Sequence, residues 1–307
     1  MFVISERNKL IFAFAAVYLI WGSTYLAIRF GLETLPPFLM SGIRYFVAGL
    51  FICAFARLRG AKGATYAQWV RASLIGFLLF VVGTGGIVIA EKSLPSGLVS
   101  LMVATVPIYV ILMEWLRPGG RNPGALTLLG VIVGIAGMII LIGPTSFAGS
   151  FAGISCVLLA SFSWAIGSLY ARGADLPSSK LLAAGMETFS AGVIMLVLSA
   201  FMGELRDLSL ELVSLKSLAA VTYLIVFGSI LGFSAYVYML KKASPTHVST
   251  YAYVNPLVAV FLGWALGGEA VSGRTIVASM VILFAVYLIS RPQRIKAAVL
   301  VEAERER

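Results

Sequence analysis

Apolar residues fall into long uninterrupted runs, and charged residues and prolines collect between them. Runs of about spanning length cover 10–31, 36–57, 71–91, 96–116, 123–143, 149–171, 180–202, 218–240, 247–268 and 273–290. Each approaches the roughly 20 residues that an α-helix needs to cross a hydrocarbon core about 30 Å thick. A membrane strand needs only about 9–11 residues, and lipid cannot satisfy an open sheet edge, so the pattern predicts helices. The chain therefore reads as an all-α integral membrane protein with ten transmembrane helices. The connection from Glu91 to Ser96 is so short that the helices it joins must form an antiparallel hairpin.

Composition narrows the class. Of 307 residues, 60% are hydrophobic and 12% charged, with a mean hydropathy of +0.99, against roughly 45–50% and about 25% in soluble domains. That excludes an ordinary soluble enzyme and a disordered chain. It also leaves no stretch for a separate soluble domain, so residues 1–307 read as one transmembrane domain ending in a charged tail, 291–307. The run from Leu10, preceded by Arg7 and Lys9, is too long for a signal peptide and reads as a retained first span.

The formal charge of +10 would suggest anionic partners in a soluble protein, but cationic residues in membrane proteins gather in cytoplasmic loops. With the N-terminus inside, only Arg29, Lys92, Arg206, Lys216 and Arg274 of the 23 Lys and Arg fall outside, and Arg44 lies within a span. The bias places both termini in the cytoplasm and explains the charge without nucleic acid.

The chain repeats itself. At an offset of 143, Trp21 matches Trp164, Arg29 matches Arg172, Gly42 matches Gly185, Phe46 matches Phe189 and Gly49 matches Gly192; Pro107 then matches Pro256 at 149. The halves, 10–143 and 149–290, have five helices each. Five is odd, so the second half enters the membrane inverted, as in secondary transporters. Between the second and third spans, the segment around Tyr66, Gln68 and Trp69 reads as a short interfacial helix or a loop, as does its counterpart from Leu205 to Leu218.

Charges inside spans are costly and mark candidate functional sites. Arg44 and Glu187 occupy equivalent positions in the second and seventh spans. Glu187 is a candidate proton-coupling carboxylate, and Arg44 a candidate for an anionic substrate group or a gate; both also fit the role of interhelical hydrogen bonder. Glu114 reads as an interfacial residue. Glu91, beside Lys92, and Glu269 read as helix-end or gate residues and not as a buried pair.

His247 opens the ninth span, and Tyr251 and Asn255 follow on one helical face. That polar stripe should line a cavity or pack on another helix. Pro107 and Pro256 are hinge candidates at equivalent places, which is the sequence pointer to a midplane binding site. Trp21 with Ser23 and Thr24, and Trp164 with Ser168, lie deeper than interfacial tryptophans and complete the substrate-binding candidates. Gly130, Gly134 and Gly137 suit close helix packing, within the chain or in a homodimer. Cys53 and Cys156 read as packing residues. With one histidine and no nucleophile motif, no catalytic residue, metal site or cofactor is expected.

The stretches WGSTYLAIRFGLETLPPFLMSGIRYFVAG (21–49), EKSLPSGLVSLMVATVPIYVIL (91–112), SWAIGSLYARGADLP (163–177) and FGSILGFSAYVYMLKKASPTHVSTYAYVNPLVAVFLGWALGGE (227–269) resemble the drug/metabolite transporter superfamily. Within it they are similar to EamA-type exporters of the YedA-like branch of bacterial inner-membrane carriers. The resemblance spans nearly the whole chain. It implies a ten-helix inverted-repeat carrier that exports small metabolites, amino acids or drugs from the inner membrane. Trp21, Ser23, Thr24, Arg44, Glu187, Tyr251 and Asn255 match its pattern, whereas His247 departs from it. A passive facilitator or channel, and a multidrug carrier without amino-acid preference, are the alternative functions.

Overall fold

The computed structural model describes residues 6–117, 123–206, 208–242 and 251–290, and side chains at most of these positions. It is all-helical there, in the order α1 (Glu6–Gly31), α2 (Pro37–Leu58), α3 (Tyr66–Ala90), α4 (Ser96–Leu116), α5 (Ala125–Leu141), α6 (Phe151–Gly173), α7 (Lys180–Phe201), α8 (215–242), α9 (Tyr251–Gly267) and α10 (Gly273–Ser290). Helical backbone also joins α5 to α6 through 142–150. Those 49 residues would extend about 73 Å at 1.5 Å each, enough for two crossings of the bilayer core.

Local chemistry sets the helix starts. Pro37 occupies the first turn of α2, where a missing backbone donor costs nothing. Thr65 and Gln68 form a reciprocal capping box at the start of α3. Ser179 and Ser214 cap α7 and α8. The segment carrying Tyr66 and Trp69 is thus the first turn of α3 itself, neither a separate interfacial helix nor a loop, and Trp69 packs edge-on against Phe189. Its counterpart is a single short 3₁₀ turn, Leu210–Leu212, before α8 begins at Leu215.

α2 and α7 form the most intimate contact and display the symmetry. A Cβ on Gly49 would lie 2.3 Å from the Phe189 nitrogen, and one on Gly192 would lie 2.2 Å from the Phe46 nitrogen. Gly42 meets Leu196 as Gly185 meets Cys53. Adding 143 to the α2 residue of one contact gives the α7 residue of its reciprocal. As the number rises along α2 it falls along α7, so the helices are antiparallel. A two-fold axis relating antiparallel neighbours lies across them, which makes the repeats inverted with the axis in the membrane plane. Phe46 and Phe189, equivalent residues, meet with ring centroids 5.1 Å apart.

The glycine face of α5 is used within the chain. Gly130 and Gly137 meet Ala285, Leu288, Ile289 and Ile282 of α10, and Gly134 meets Ile108 of α4 as well as Ala285. On α3, Gly83 and Gly86 meet Trp164 and Ala160 of α6. Cys53 and Cys156 are unbridged.

α3 and α8 each contain an eight-residue π-helical segment, Phe77–Thr84 and Leu224–Leu231, at corresponding places in the two halves. α4 is interrupted at Ala104 and Thr105, between its helical parts Ser96–Val103 and Val106–Leu116, with Pro107 in the first turn of the second part. α9 runs unbroken through Pro256.

Candidate functional site

The π-helical turn of α8 gathers polar groups from α1 and α2. Wider winding turns carbonyls out of the helical ladder, and such segments recur at functional sites. Trp21 Nε1 donates to the Gly228 carbonyl at 3.2 Å. Arg44 Nε donates to Ser229 Oγ at 3.0 Å, and its guanidinium lies 4.8 Å from the Tyr45 ring centre. Ser23 Oγ and Tyr223 Oη share a hydrogen bond of 2.6 Å. Thr24 turns its hydroxyl back to the Trp21 carbonyl, leaving its methyl against Gly228. Gly228 admits all this: a Cβ there would lie 3.1 Å from the Thr24 methyl and 3.3 Å from the Arg44 guanidinium.

Aromatic rings extend the cluster. Trp21 lies 5.1 Å from Tyr236, 5.3 Å from Tyr251 and 6.5 Å from Phe233, measured between ring centres. Asn255 is buried one turn beyond Tyr251. With its amide nitrogen as donor it reaches the carbonyls of Tyr18 at 3.3 Å and Tyr251 at 3.2 Å, so it ties α9 to α1. Trp21, Ser23, Thr24, Arg44, Tyr251 and Asn255 are therefore brought to one region by α1, α2, α8 and α9.

The equivalent tryptophan stands apart. Trp164 packs edge-on against Phe80, and its ring lies against Gly83 in the π-helical turn of α3. Ser163 donates to the Leu78 carbonyl there at 2.8 Å, and Ser168 is half-buried one turn past Trp164. Each tryptophan thus packs on the π-helical turn of the opposite half, Trp21 on Gly228 and on Gly232 just past the turn, Trp164 on Gly83. Glu187 is buried on α7, its carbonyl packed where a Cβ on Gly76 would stand. The antiparallel register sets Arg44 opposite residue 194, seven residues from Glu187 and about 10 Å along the axis, and no ion pair joins them among the described residues. His247 lies outside the described residues.

A second cluster forms at the helix ends that carry Glu91 and Glu269, which the sequence reads as helix-end or gate residues and not as a buried pair. Both are buried. Gly268 takes a positive φ of 64°, which L side chains rarely adopt, and turns Glu269 back so that its N–H donates to the Gly263 carbonyl at 2.9 Å. The Glu269 carboxylate then accepts from Arg29 at 2.6 Å, Ser96 N at 2.7 Å, Ser96 Oγ at 2.6 Å and Gly97 N at 3.1 Å. It caps the first turn of α4, where the helix dipole favours an anion. Sequence reasoning missed this latch because it depends on one backbone turn. It also missed Tyr223, Ser229 and Tyr236, for which a polar break inside the apolar run of α8 was the available signal.

The faces of the molecule differ. Arg29 pairs with a Glu269 side chain that is 5% exposed. Arg172, its repeat equivalent, pairs with Glu114, and these side chains are 63% and 41% exposed. Six residues of Ser96–Val103 are buried, against Ile108 alone in Val106–Leu116.

Ten inverted-repeat membrane helices with polar and aromatic groups converging on distorted central turns define a multi-pass membrane transporter, not an enzyme. Comparison with known proteins agrees. The EamA-like transporter family matches the chain twice, over 8–143 and 151–291, and the chain belongs to that family. It is 40% identical over 279 residues to the uncharacterised inner membrane transporter YedA of Escherichia coli K12, covering 91% of this chain and 89% of that protein. Protein PecM of Dickeya dadantii is 27% identical, covering 90% of this chain and 93% of its own length. A solved crystal structure shares the fold, with a TM-score of 0.63 at 19% identity over 93% of this chain and 98% of that one. The protein is thus a multi-pass inner-membrane transporter of the EamA-like family.

Proposed function

We propose that the protein is a secondary active transporter that exports small amphipathic metabolites, amino acids among them, by alternating access between its two repeats, with both termini in the cytoplasm. The observation that carries this reading is the unequal state of two symmetry-related faces. One is sealed by the buried Glu269 latch, and the other carries the exposed Arg172–Glu114 pair. A permanently open pore has no need of a buried seal at one end only. The hydroxyls of Ser23 and Tyr223, the Arg44 guanidinium and the Trp21 ring suit a ligand with a carboxylate and an apolar body. Glu187 remains the candidate for proton coupling of the transport cycle.

Counterflow in proteoliposomes tests this. A carrier accelerates uptake of labelled substrate when unlabelled substrate is loaded on the opposite side, whereas a non-saturating flux without trans-stimulation overturns the carrier reading in favour of a passive channel. A thermal-stabilisation screen in detergent tests the substrate class, because ligands of the folded state raise apparent stability. No response from any amino acid removes that class and leaves a drug carrier.

A further inference from the structure

Glu91 is the residue the transport reading leaves unused. It sits one residue past the end of α3, in the turn that leads to α4, and its side chain is buried. Both carboxyl oxygens lack a hydrogen-bond partner among the described residues. The charged and titratable groups facing it are Tyr25 and Arg29 from α1, Arg44 from α2, and Glu269 from beyond α9. Arg29 is already engaged at 2.6 Å by Glu269, which also holds Ser96 and Gly97. Glu91 is therefore buried near the charges of the latch without sharing its donors.

A carboxylate anion buried with no donor bears a large desolvation cost, whereas the neutral acid bears much less. The closed face is thus compatible with the acid. Releasing Glu269 from the first turn of α4 would let water reach the turn that carries Glu91, and a hydrated carboxyl ionises readily near neutral pH. A cavity of about 280 Å³, lined by Ser93, Gly97, Val260, Glu269 and Arg274 among others, lies beside the latch.

We propose that Glu91 is a proton-binding site of the gate: closing the face sealed by Glu269 takes up one proton at Glu91, and opening it releases one. The proton moves between water and a carboxyl oxygen and no other bond changes. The closed form binds the extra proton, so falling pH favours closure and rising pH favours opening, by up to about tenfold per pH unit while the two forms differ in protonation. The inference rests on reading this face as a gate. Its readout needs no substrate, so its failure and a failure of the transport reading are distinguishable.

The experiment is hydrogen–deuterium exchange of the full-length protein in nanodiscs from about pH 5 to about pH 9, with times scaled for intrinsic exchange. The reporters are the amides of 91–98, including the Ser96 and Gly97 N–H groups that Glu269 accepts. In wild type, protection of this segment should fall as pH rises, by up to about tenfold per unit. Glu91→Gln, which mimics the protonated acid, should stay protected at every pH. Peptides spanning 42–53 and 185–196, at the α2–α7 contact, report whether the fold is intact. A wild type without pH dependence overturns the proposal, as does a Glu91→Gln protein that keeps it or is unprotected throughout. If Glu91→Gln fails to fold, Glu91→Asp carries the test: its shorter arm should displace the midpoint, and an unmoved midpoint overturns the proposal.

Discussion

Substituting alanine for Gly49 or Gly192 should destabilise the protein by similar amounts, with no rescue from trimming the facing side chain. The added Cβ would lie 2.3 Å from the Phe189 nitrogen in the first case and 2.2 Å from the Phe46 nitrogen in the second. Carbon–heavy-atom contacts settle near 3.5 Å, so each methyl requires the helices to part by more than 1 Å. The obstacle is backbone, and no rotamer change removes it. Overpacking of this kind costs about 1–3 kcal/mol, set against a gain of up to about 1 kcal/mol from replacing glycine in a helix interior. The net loss is up to about 2 kcal/mol at either site, toward the upper end because the obstacle is backbone. Gly42→Ala is the internal contrast. Its nearest obstacles include the Leu196 side-chain tip at 2.9 Å, so a second change, Leu196→Ala, should recover part of that loss. In Gly49→Ala, by comparison, Phe189→Ala should add its own cost. The assay is thermal unfolding of purified variants in one detergent, followed by intrinsic fluorescence and by size-exclusion recovery after heating. Midpoints for Gly49→Ala and Gly192→Ala that equal wild type, or that differ widely from each other, would refute the reciprocal backbone contact.

Trp21→Phe keeps the aromatic contacts with Tyr236 and Tyr251 but deletes the donor to the Gly228 carbonyl; it should cost about 0.5–1.5 kcal/mol in stability and lower counterflow more than the equivalent change Trp164→Phe, as initial rates will show. Arg44→Lys retains the charge yet loses the fixed Nε donor to Ser229 and the planar contact with Tyr45; substrate affinity in the thermal-shift titration should fall about tenfold, with the charge-free Arg44→Gln falling further. In proteoliposomes, Glu187→Gln should blunt the response of transport to an imposed pH gradient, and a full response would remove Glu187 from coupling.

The helix count and inversion were legible because both rest on properties that lipid enforces locally: an apolar run long enough to span, and an odd number of runs per repeat. The partners of single residues were not. Equivalence of Arg44 and Glu187 along the sequence invites an ion pair, but antiparallel packing of α2 on α7 sends equivalent positions away from each other unless they lie at the axis, as Phe46 and Phe189 do. The eight-residue π-helical turns leave no mark in hydropathy, since an apolar run reads the same whether it winds as α or π. Tyr251 and Asn255 were visible as a polar stripe, but Tyr223 and Ser229, on the helix that completes the cluster, stand among apolar neighbours. Glu91 and Glu269 were legible as helix-end residues, but the burial of Glu269 was not, because it follows from the positive φ of Gly268 and from the first turn of α4 docking on its carboxylate.

The two-fold symmetry also explains why small sequence differences between the halves matter. Identical repeats would close either face with equal free energy. Here the arginines are equivalent, Arg29 and Arg172, but their acidic partners are not. Glu269 folds back beneath the start of α4, with two backbone N–H groups and a serine hydroxyl in addition to its arginine. Glu114 lies within the last turn of α4, at the end where the helix dipole disfavours an anion. An exposed pair of that kind contributes about 0–1 kcal/mol, while charge-assisted hydrogen bonds to a buried carboxylate are each stronger. On the alternating-access reading proposed above, the asymmetry therefore biases the resting molecule toward closure at the Glu269 face. A substrate can open that face only through the part of its binding energy that differs between the two states. On the same reading the cluster at Gly228 and Ser229 would supply that difference, because Trp21, midway along α1, and Arg29, in its last turn, are carried by one helix, so groups bound at Trp21 move with the latch.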